Sequence, residues 1–260
     1  MKWRLLVLFD SHSHLDADQF DHDRDLMIDR AKQNGVSYIV NPGADYPTSL
    51  KAVEIARKYD FIFAAVGVHP HDAETLNAEM MLDLEALAKD PVVKAIGEIG
   101  LDYYRDLSPR DVQKKWFIEQ IQLAKRMNLP IIIHDRDAND DVLRILKEQD
   151  AFKTGVLMHC FSGSKELAMQ YVKLGAMISI AGPVTYKNAR KTVEVVEAVP
   201  LSSLLIETDA PYLSPEPMRG KRNEPMNVRF TCERMAHIKN ISFEEMAKAT
   251  KENALRFFKI

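Results

Sequence analysis

The chain has 260 residues, which matches the length of one α/β barrel and falls short of two full-sized domains. Hydrophobic residues make up 46% of the chain and charged residues 28%, and the formal net charge is −3. This composition excludes a disordered acidic tail and a basic protein that coats nucleic acid.

Eight short apolar runs recur along the chain, and longer amphipathic stretches separate them. The runs are rich in Val, Ile, Leu and Met and mostly do not alternate with polar residues, which is typical of strands buried on both faces. We predict strands at residues 5–9, 36–40, 61–66, 92–96, 131–133, 155–158, 177–180 and 204–206.

The amphipathic stretches predict helices. We expect them at residues 25–34, 48–59, 80–88, 109–127, 140–148, 165–174, 187–199, 228–238 and 242–258. Gly35 stands where a glycine commonly ends a helix. Ser108, followed by Pro109, is expected to cap the fourth helix, and Ser242 with Glu245 predicts a capping box for the last.

Strand and helix alternate about eight times, which predicts a parallel sheet with helical crossovers. Eight repeats close most naturally into a (β/α)8 barrel, and we expect one domain over residues 1–260 with a C-terminal helical extension. A doubly wound open sheet is the structural alternative. No GxGxxG or Walker-type loop follows any predicted strand, so the alternative lacks the usual signature of a nucleotide-binding fold.

The cysteine content and the early apolar run predict the compartment. Cys160 and Cys232 are too few for a disulfide framework or a four-thiolate zinc site, and they fit a reducing cytoplasm. The longest early apolar run, at residues 5–9, is too short for a signal-peptide core or a membrane span. We therefore expect a cytoplasmic protein that does not associate with a membrane.

Histidines and acids gather where the predicted strands end. They are His12, His14, His69, His134 and His159, joined by Glu98 after the fourth strand and Asp209 after the eighth. In a barrel these positions share the face that carries active sites. A single histidine at a strand end is more often packed or hydrogen-bonded than a metal ligand, but so many at one face favour a metal centre.

The spacing of these residues predicts how two metal ions would be held. His12 and His14 are two residues apart in an extended segment, so both side chains face one way and can share an ion. His134 and His159 come from neighbouring strands and can share a second. Glu98 has two carboxylate oxygens and can bridge the two ions. Neutral imidazole and carboxylate suit Zn, Mn, Co or Fe, and Mg is tolerated.

Seven segments resemble the TatD family of metal-dependent deoxyribonucleases, within the wider group of amidohydrolase-like barrels. The segments are DSHSHLD at 10–16, GVHP at 67–70, GEIGLDYY at 97–104, PIIIHDR at 130–136, HCFSG at 159–163, ETDAPY at 207–212 and RGKRNEP at 219–225. The resemblance spans nearly the whole chain and implies a distorted TIM barrel with two divalent metal ions (Mg, Mn or Zn). It implies that the ligands are His12, His14, Glu98, His134, His159 and Asp209.

The resemblance also implies a reaction, which is 3′→5′ exonuclease cleavage of DNA phosphodiester bonds at single-stranded ends. Two ions can activate a water molecule and stabilise the leaving 3′ oxygen. We expect Asp209 to orient that water and to take its proton. Glu98 is the second catalytic residue, as the bridge between the ions.

Cations near the strand ends are candidate phosphate contacts. The loop after the eighth strand carries Arg219, Lys221 and Arg222 within four residues, and its place at the rim favours phosphate binding, although a solvated surface loop has the same charges. Arg136 and Arg105 would add to the same positive field.

Aromatic residues near the strand ends are candidate base-stacking residues, or else they pack the loops. They are Tyr103, Tyr104, Phe161 and Tyr212, of which Tyr103 is our predicted substrate contact. His69 is expected to contact substrate or to support a ligand, since neither ion needs it. We assign no role to His22, His71 and His237.

Two other functions stay open. A dinuclear hydrolase of a small amide, lactone or phosphoester would use the same ions to polarise its substrate, but it would not need a basic loop at the rim. A metal-binding protein without catalysis would need neither open metal positions nor a base. We expect a monomer, because no long exposed apolar stripe stands out in the sequence.

Overall fold

Eight parallel strands form one sheet in the computed structural model, which describes residues 8–260. The strands are β1 (Leu8–Asp10), β2 (Val36–Pro42), β3 (Ile62–Val66), β4 (Val93–Asp102), β5 (Ile131–Arg136), β6 (Val156–Met158), β7 (Met177–Ile180) and β8 (Leu204–Ile206). Each strand pairs in parallel with the next one in the sequence. The predicted (β/α)8 barrel is confirmed, and the doubly wound sheet is excluded because its strand order is not sequential.

Helices follow the strands as crossovers. They are α1 (Arg24–Gln33), α2 (Tyr46–Lys58), α3 (Ala78–Leu87), α4 (Arg110–Met127), α5 (Asn139–Glu148), α6 (Lys165–Lys173), α7 (Arg190–Ala198), α8 (Val228–Lys239) and α9 (Phe243–Phe258). Their bounds lie within about one turn of the predicted ones. Within residues 8–260, no helix has the length and hydrophobicity that crossing a bilayer requires.

The predicted ends of β2, β4 and β5 need correction, and β2 extends to Pro42. The first strand was predicted at residues 5–9; residues 5–7 lie outside the described residues, and residues 8–9 belong to β1. β4 and β5 extend further than their apolar runs, so Glu98 and His134 lie within strands rather than after them. The prediction ended these strands too early because their last residues include polar side chains at the barrel mouth. A search for apolar runs does not detect such residues.

The predicted cap at Ser108 is wrong. Helix α4 begins at Arg110, and its flanking residue Pro109 makes no side-chain capping bond. The Ser108 hydroxyl instead donates to the carbonyl of His71 at 2.8 Å and accepts from the amide of Glu74 at 3.1 Å. It therefore joins the loop after β4 to the loop after β3. The Ser242 hydroxyl does accept from the amide of Glu245 and caps α9.

Each strand contributes one side chain to an apolar layer inside the barrel. The layer consists of Phe9, Val40, Ala65, Ala95, Ile132, Leu157, Met177 and Leu205. Helix α9 packs onto it through Ala254 and Phe258, whose ring stacks on Phe9 with centroids 5.8 Å apart. The Asn253 amide donates to the carbonyl of Leu204 at the start of β8. The C-terminal extension therefore closes the end where the strands begin and leaves the opposite end open.

Backbone hydrogen bonds continue the contact between β1 and β8 past the ends of both strands. They run from Ser11 N to Ile206 O at 3.1 Å, from Asp209 N to His12 O at 2.9 Å and from His14 N to Ala210 O at 2.8 Å. The buried Asp10 carboxylate accepts from the amide and hydroxyl of Thr208 at 2.9 and 2.6 Å. This seam places the segment that carries His12 and His14 beside Asp209.

Removing the ring of Phe258 should destabilise the barrel. Phe258→Ala leaves a cavity against Phe9, and we expect a loss of about 3–5 kcal/mol in the free energy of unfolding, as measured by urea denaturation. Leu82→Ala on α3, where Leu82 is 69% exposed, is the control and should change stability by about 0.5 kcal/mol or less. Equal effects of the two variants would mean that α9 does not close the barrel.

Candidate metal centre

Two backbone features bring the site residues together at the open end. Gly100 has φ +146°, and a Cβ there would lie 1.9 Å from the carbonyl oxygen of His134. Only glycine therefore lets β4 approach β5 at this level. Asp209 has φ +55°, a left-handed conformation that aspartate tolerates better than most residues. It turns the chain after β8 so that the Asp209 carboxylate faces the histidines of β1.

One oxygen of Glu98 faces the histidines that follow β1. Glu98 is 3% exposed, and its Oε2 lies 3.3 Å from His12 Nε2 and 3.7 Å from His14 Nε2. Asp209 Oδ1 lies 3.8 and 3.5 Å from the same two nitrogens. The nitrogens are 3.2 Å apart. Two imidazoles and two carboxylates thus converge on one small volume.

The other oxygen of Glu98 faces a different set of histidines. Its Oε1 lies 2.8 Å from His134 Nδ1, 2.9 Å from His159 Nε2 and 3.5 Å from His69 Nε2. The carboxylate therefore stands between two clusters of ring nitrogens, with one oxygen turned to each. This is the arrangement that a bridging ligand needs.

The spacing and chemistry of these donors fit divalent ions. Ligand atoms about 2.0–2.2 Å from one tetrahedral ion lie roughly 3.3–3.6 Å from each other. The separations among His12, His14, Glu98 and Asp209 scatter around that range, from 3.2 Å to 3.8 Å. Imidazole and carboxylate together suit first-row divalent metals. Three groups within residues 8–260 have ligand atoms within 4.8 Å of one another: His12, His14 and Asp209; His12, Glu98 and His159; His69, Glu98 and His134.

Two further carboxylates hold the imidazoles from behind. Asp102 Oδ2 lies 3.1 Å from His134 Nε2 and 2.7 Å from His71 Nε2. Glu207 Oε1 lies 3.2 Å from His159 Nδ1. A carboxylate on the far nitrogen fixes ring orientation and makes the near nitrogen a better donor to a cation. Sequence reasoning missed both supporting carboxylates, although Asp102 lies four residues after Glu98 and so on the same face of the strand.

The proton of His69 can be located from one hydrogen bond. The amide of His71 donates to His69 Nδ1 at 3.2 Å, so Nδ1 carries no proton. Burial lowers the pKa of His69 well below its ordinary value, so the ring is neutral. Its single proton is therefore on Nε2, which faces Glu98. On that side His69 presents an N–H group, at 3.5 Å from Glu98 Oε1.

The electrostatics of the cluster keep its carboxylates ionised. Burial raises the pKa of Glu98, but its imidazole neighbours, led by the charge of His159, outweigh burial and hold the pKa well below its ordinary value. Burial also opposes ionisation of Asp209, and the hydrogen bond from His14 with nearby imidazole charges lowers that pKa. Ionised carboxylates are the state that binds cations.

A cavity of about 1110 Å³ lies over the centre. Among the described residues, its charged lining consists of the carboxylates Asp16, Asp18, Asp72, Glu98, Asp102, Asp135 and Asp209 and the cations Lys51, Arg105 and Arg136. Carboxylates outnumber lysine and arginine side chains in this lining, which also holds five imidazoles.

The basic loop predicted to contact phosphate lies away from this cavity. Neither Arg219, Lys221 nor Arg222 belongs to its lining within residues 8–260. The Arg222 guanidinium pairs with Asp23 at 2.7 Å and Glu224 at 3.0 Å, which ties the loop after β8 to the start of α1. The prediction for Arg222 needs correction, because charge counting does not reveal a distant carboxylate partner. Arg219 and Lys221 are exposed, and their role stays a prediction.

The predicted aromatic contacts divide into packed and exposed rings. Tyr103 donates its hydroxyl to Asp141 at 2.6 Å and does not line the cavity, so the structure gives it a packing role. Phe161 is buried. Tyr212 lines the cavity and is 51% exposed, and Tyr104 lies outside the lining and is 62% exposed. Arg136 lines the cavity as predicted. His71, which had no assigned role, lines it too.

The barrel and its imidazole–carboxylate cluster define a metal-dependent hydrolase. A family model described as TatD related DNase matches residues 9–259, and the chain belongs to that family. It is 51% identical over 254 residues to the "uncharacterized metal-dependent hydrolase YabD" of Bacillus subtilis, covering 98% of this chain and 100% of that protein. It is 36% identical to the "3'-5' ssDNA/RNA exonuclease TatD" of Cronobacter sakazakii, covering 96% and 97%.

The solved structures agree with the sequence comparisons. The crystal structure of YJJV, a TatD homologue from Escherichia coli, superposes with a TM-score of 0.92 and 33% identity over 97% of this chain and 98% of that one. A TatD-family hydrolase from Entamoeba histolytica gives a TM-score of 0.87 with 26% identity, covering 97% of this chain and 98% of that one. Both support the TIM barrel and the family.

Glu98→Gln should abolish stabilisation by divalent metal. An ion that binds only the folded state at 100 times its dissociation constant adds about 2.7 kcal/mol to the free energy of unfolding. We expect the wild type to show a raised melting temperature in MnCl2 and the variant to show little change. Glu85→Gln, which alters a distant exposed pair with Arg126, is the control. A full metal-induced shift in Glu98→Gln would show that Glu98 is not a ligand.

Proposed function

We propose that the protein is a divalent-metal-dependent deoxyribonuclease that removes nucleotides from the 3′ end of single-stranded DNA. The observation that carries the proposal is Glu98, whose two oxygens face two separate sets of ring nitrogens at the floor of an open cavity. A relative named as a 3′–5′ single-stranded DNA/RNA exonuclease supports the choice of substrate.

We propose that the residues share two ions, of which Mg, Mn or Zn are candidates. His12, His14, Asp209 and Glu98 Oε2 would hold one, and His134, His159 and Glu98 Oε1 the other. When bound, such ions supply Lewis acidity and lower the pKa of water toward neutrality. Asp102 orients the imidazole of His134, and Glu207 orients that of His159. The seam between β1 and β8 positions the segment that carries His12 and His14.

Asp209 is the proposed base. Its pKa is lowered, so it is ionised at neutral pH, and it lines the cavity. It takes the proton from the attacking water as that oxygen bonds to phosphorus. The bond from phosphorus to the 3′ oxygen of the preceding nucleotide breaks, and that oxygen takes up a proton from solvent water. The products are a 5′-mononucleotide and a strand one residue shorter with a 3′ hydroxyl.

His69 is the proposed positioning residue for Glu98. Its Nε2 lies 3.5 Å from Glu98 Oε1, and its Nδ1 accepts from the His71 amide. The first contact orients the carboxylate, and the second fixes the imidazole ring. We propose this role beside the predicted substrate contact, because the His71 amide holds the ring next to Glu98.

A matched pair of variants distinguishes the contributions of the two ring nitrogens of His69. Asn places an acceptor near Nδ1 but no donor near Nε2, and Gln places a donor near Nε2. We expect His69→Asn to lower kcat by about tenfold or more, as for loss of a hydrogen bond to a charged group, with unchanged stability. His69→Gln should retain more of kcat and metal affinity. The reverse order would contradict the proposed tautomer.

The charge of the cavity favours a substrate that binds only with metal. Seven carboxylates line it within the described residues, and divalent ions would offset their charge where phosphates enter. Arg105 and Arg136 favour a phosphate ester over a small amide or lactone, which needs no cation at the rim. A binding protein without catalysis would not need Asp209 beside the proposed ions.

The remaining proposals concern the whole molecule. We propose that residues 1–260 form one domain that works as a monomer in the cytoplasm. The most exposed large apolar side chains, such as Leu26 on α1 and Leu82 on α3, belong to different helices. They therefore do not extend along a single helix as an apolar stripe.

One assay tests the nuclease proposal. Purified protein is incubated with single-stranded DNA labelled at the 3′ or 5′ end, with Mg, Mn or Zn and after chelation. We expect metal-dependent release of mononucleotides from the 3′ end, and Asp209→Asn should lower kcat by about 10²–10⁴-fold. Glu85→Gln is the control. Intact DNA with every metal, while a lactone or small phosphoester is hydrolysed, would overturn the proposal.

A further inference from the structure

The cations around the cavity differ in whether a carboxylate neutralises them. Lys51, on the β2–α2 side, pairs with Asp21 at 3.1 Å and Asp18 at 3.7 Å. Arg105 and Arg136 lie on the β4–β5 side, and neither has a carboxylate within salt-bridge distance among residues 8–260. The positive charge available to a new phosphate is therefore concentrated on one side of the mouth.

The β8 side of the mouth offers no such charge. Its arginines sit outside the cavity lining, where Arg222 pairs with Asp23 and Glu224. Arg219 lies over the ring of Tyr186 at 4.5 Å and 3.8 Å from a carboxylate oxygen of Glu216. This side does expose an aromatic ring, Tyr212, but no unneutralised cation of the cavity lining stands beside it.

On the β4–β5 side, an exposed aromatic ring lies next to the cavity lining. The Arg136 guanidinium carbon lies 4.0 Å from the centroid of the Tyr104 ring. Arg136 lines the cavity, whereas Tyr104 lies outside the lining and is 62% exposed. The pair therefore connects the cavity lining to the protein surface, with the Arg136 cation in the cavity and the Tyr104 ring outside it. We call Tyr104, Arg105 and Arg136 the exit rim.

Hydrogen bonds hold the backbone of the exit rim in place. Asp102 Oδ1 accepts from the amide of Tyr104 at 3.0 Å and from that of Arg105 at 2.7 Å. The amide of Tyr103 donates to the carbonyl of Arg136 at 2.9 Å. A large aromatic ring that is exposed on a fixed backbone presents area for contact at little cost in conformational entropy.

We propose that the exit rim is the path by which the uncleaved part of a single strand leaves the cavity. This inference rests on the proposed nuclease function. Arg105 and Arg136 bind backbone phosphates, and a base upstream of the scissile bond stacks on the open face of Tyr104. A groove of cations with an aromatic platform is how proteins bind single strands without reading sequence. A base inside a duplex has both faces covered by its neighbours, so the rim selects single strands.

The length of the substrate tests this path. Kinetics with Mn²⁺ are measured on a dinucleotide, which we expect to be too short to place a base on Tyr104, and on an eight-nucleotide single strand. We expect Tyr104→Ala to raise KM for the longer strand by about tenfold, the loss of one base–aromatic stack, with kcat unchanged. The dinucleotide should be unaffected. Tyr104→Phe keeps the ring and should match the wild type.

An abasic strand isolates the stacking contact. Replacing the upstream bases of the eight-nucleotide strand by abasic sugars should remove the difference between wild type and Tyr104→Ala. Arg105→Ala with Arg136→Ala should raise KM for both kinds of strand and reduce its dependence on salt. Tyr212→Ala and Arg219→Ala test the rival path on the β8 side, and if the strand leaves over the exit rim they leave the length dependence intact.

The outcomes separate the inference from the function on which it rests. If the wild type cleaves DNA but Tyr104→Ala treats both lengths like the wild type, the exit rim is wrong. The same holds if Tyr212→Ala or Arg219→Ala shows the length-dependent loss, which would place the path on the β8 side. If the wild type neither binds nor cleaves a strand of either length, the proposed function is wrong and the path fails with it.

Discussion

The rest of the site depends on the burial of one negative charge, the carboxylate of Glu98. Burying an isolated carboxylate is costly, and it persists in a protein only with compensating partners. Here the partners are imidazoles on both oxygens, with Asp102 and Glu207 behind two of them. The imidazoles that surround Glu98 also offer the nitrogen atoms that two cations would need once the rings give up their protons. The residues that stabilise the buried Glu98 carboxylate are therefore also those proposed to bind the metal ions.

The barrel positions these side chains through its apolar interior and its backbone contacts. A layer with one apolar residue from each strand fills the interior, and α9 closes the lower end, so the polar residues gather at the upper end. The seam between the extensions of β1 and β8 aligns His12 with Asp209. Gly100 lets β4 and β5 approach where a Cβ would collide with the His134 carbonyl. Backbone contacts therefore set the positions of the side chains at the candidate metal centre.

Local pattern predicted the strands, the barrel and the residues that converge at its mouth, because buried strands and strand-end histidines leave a signal in a single sequence. It missed Asp102, because the apolar run ends before the strand does. It misjudged Arg222, whose partner Asp23 lies far away in the sequence, and Ser108, whose hydroxyl bonds two residues of another loop. Each miss is a contact between distant segments, which only the folded chain defines.

The central claim is that Glu98 joins two cation sites. Anomalous X-ray diffraction from crystals grown with Mn²⁺ tests it most directly, since it locates the ions without reference to activity. We expect two manganese peaks, one among His12, His14, Asp209 and Glu98 Oε2 and the other among His134, His159 and Glu98 Oε1. A single peak that Glu98 does not contact, or no peak at the cluster, would contradict the account.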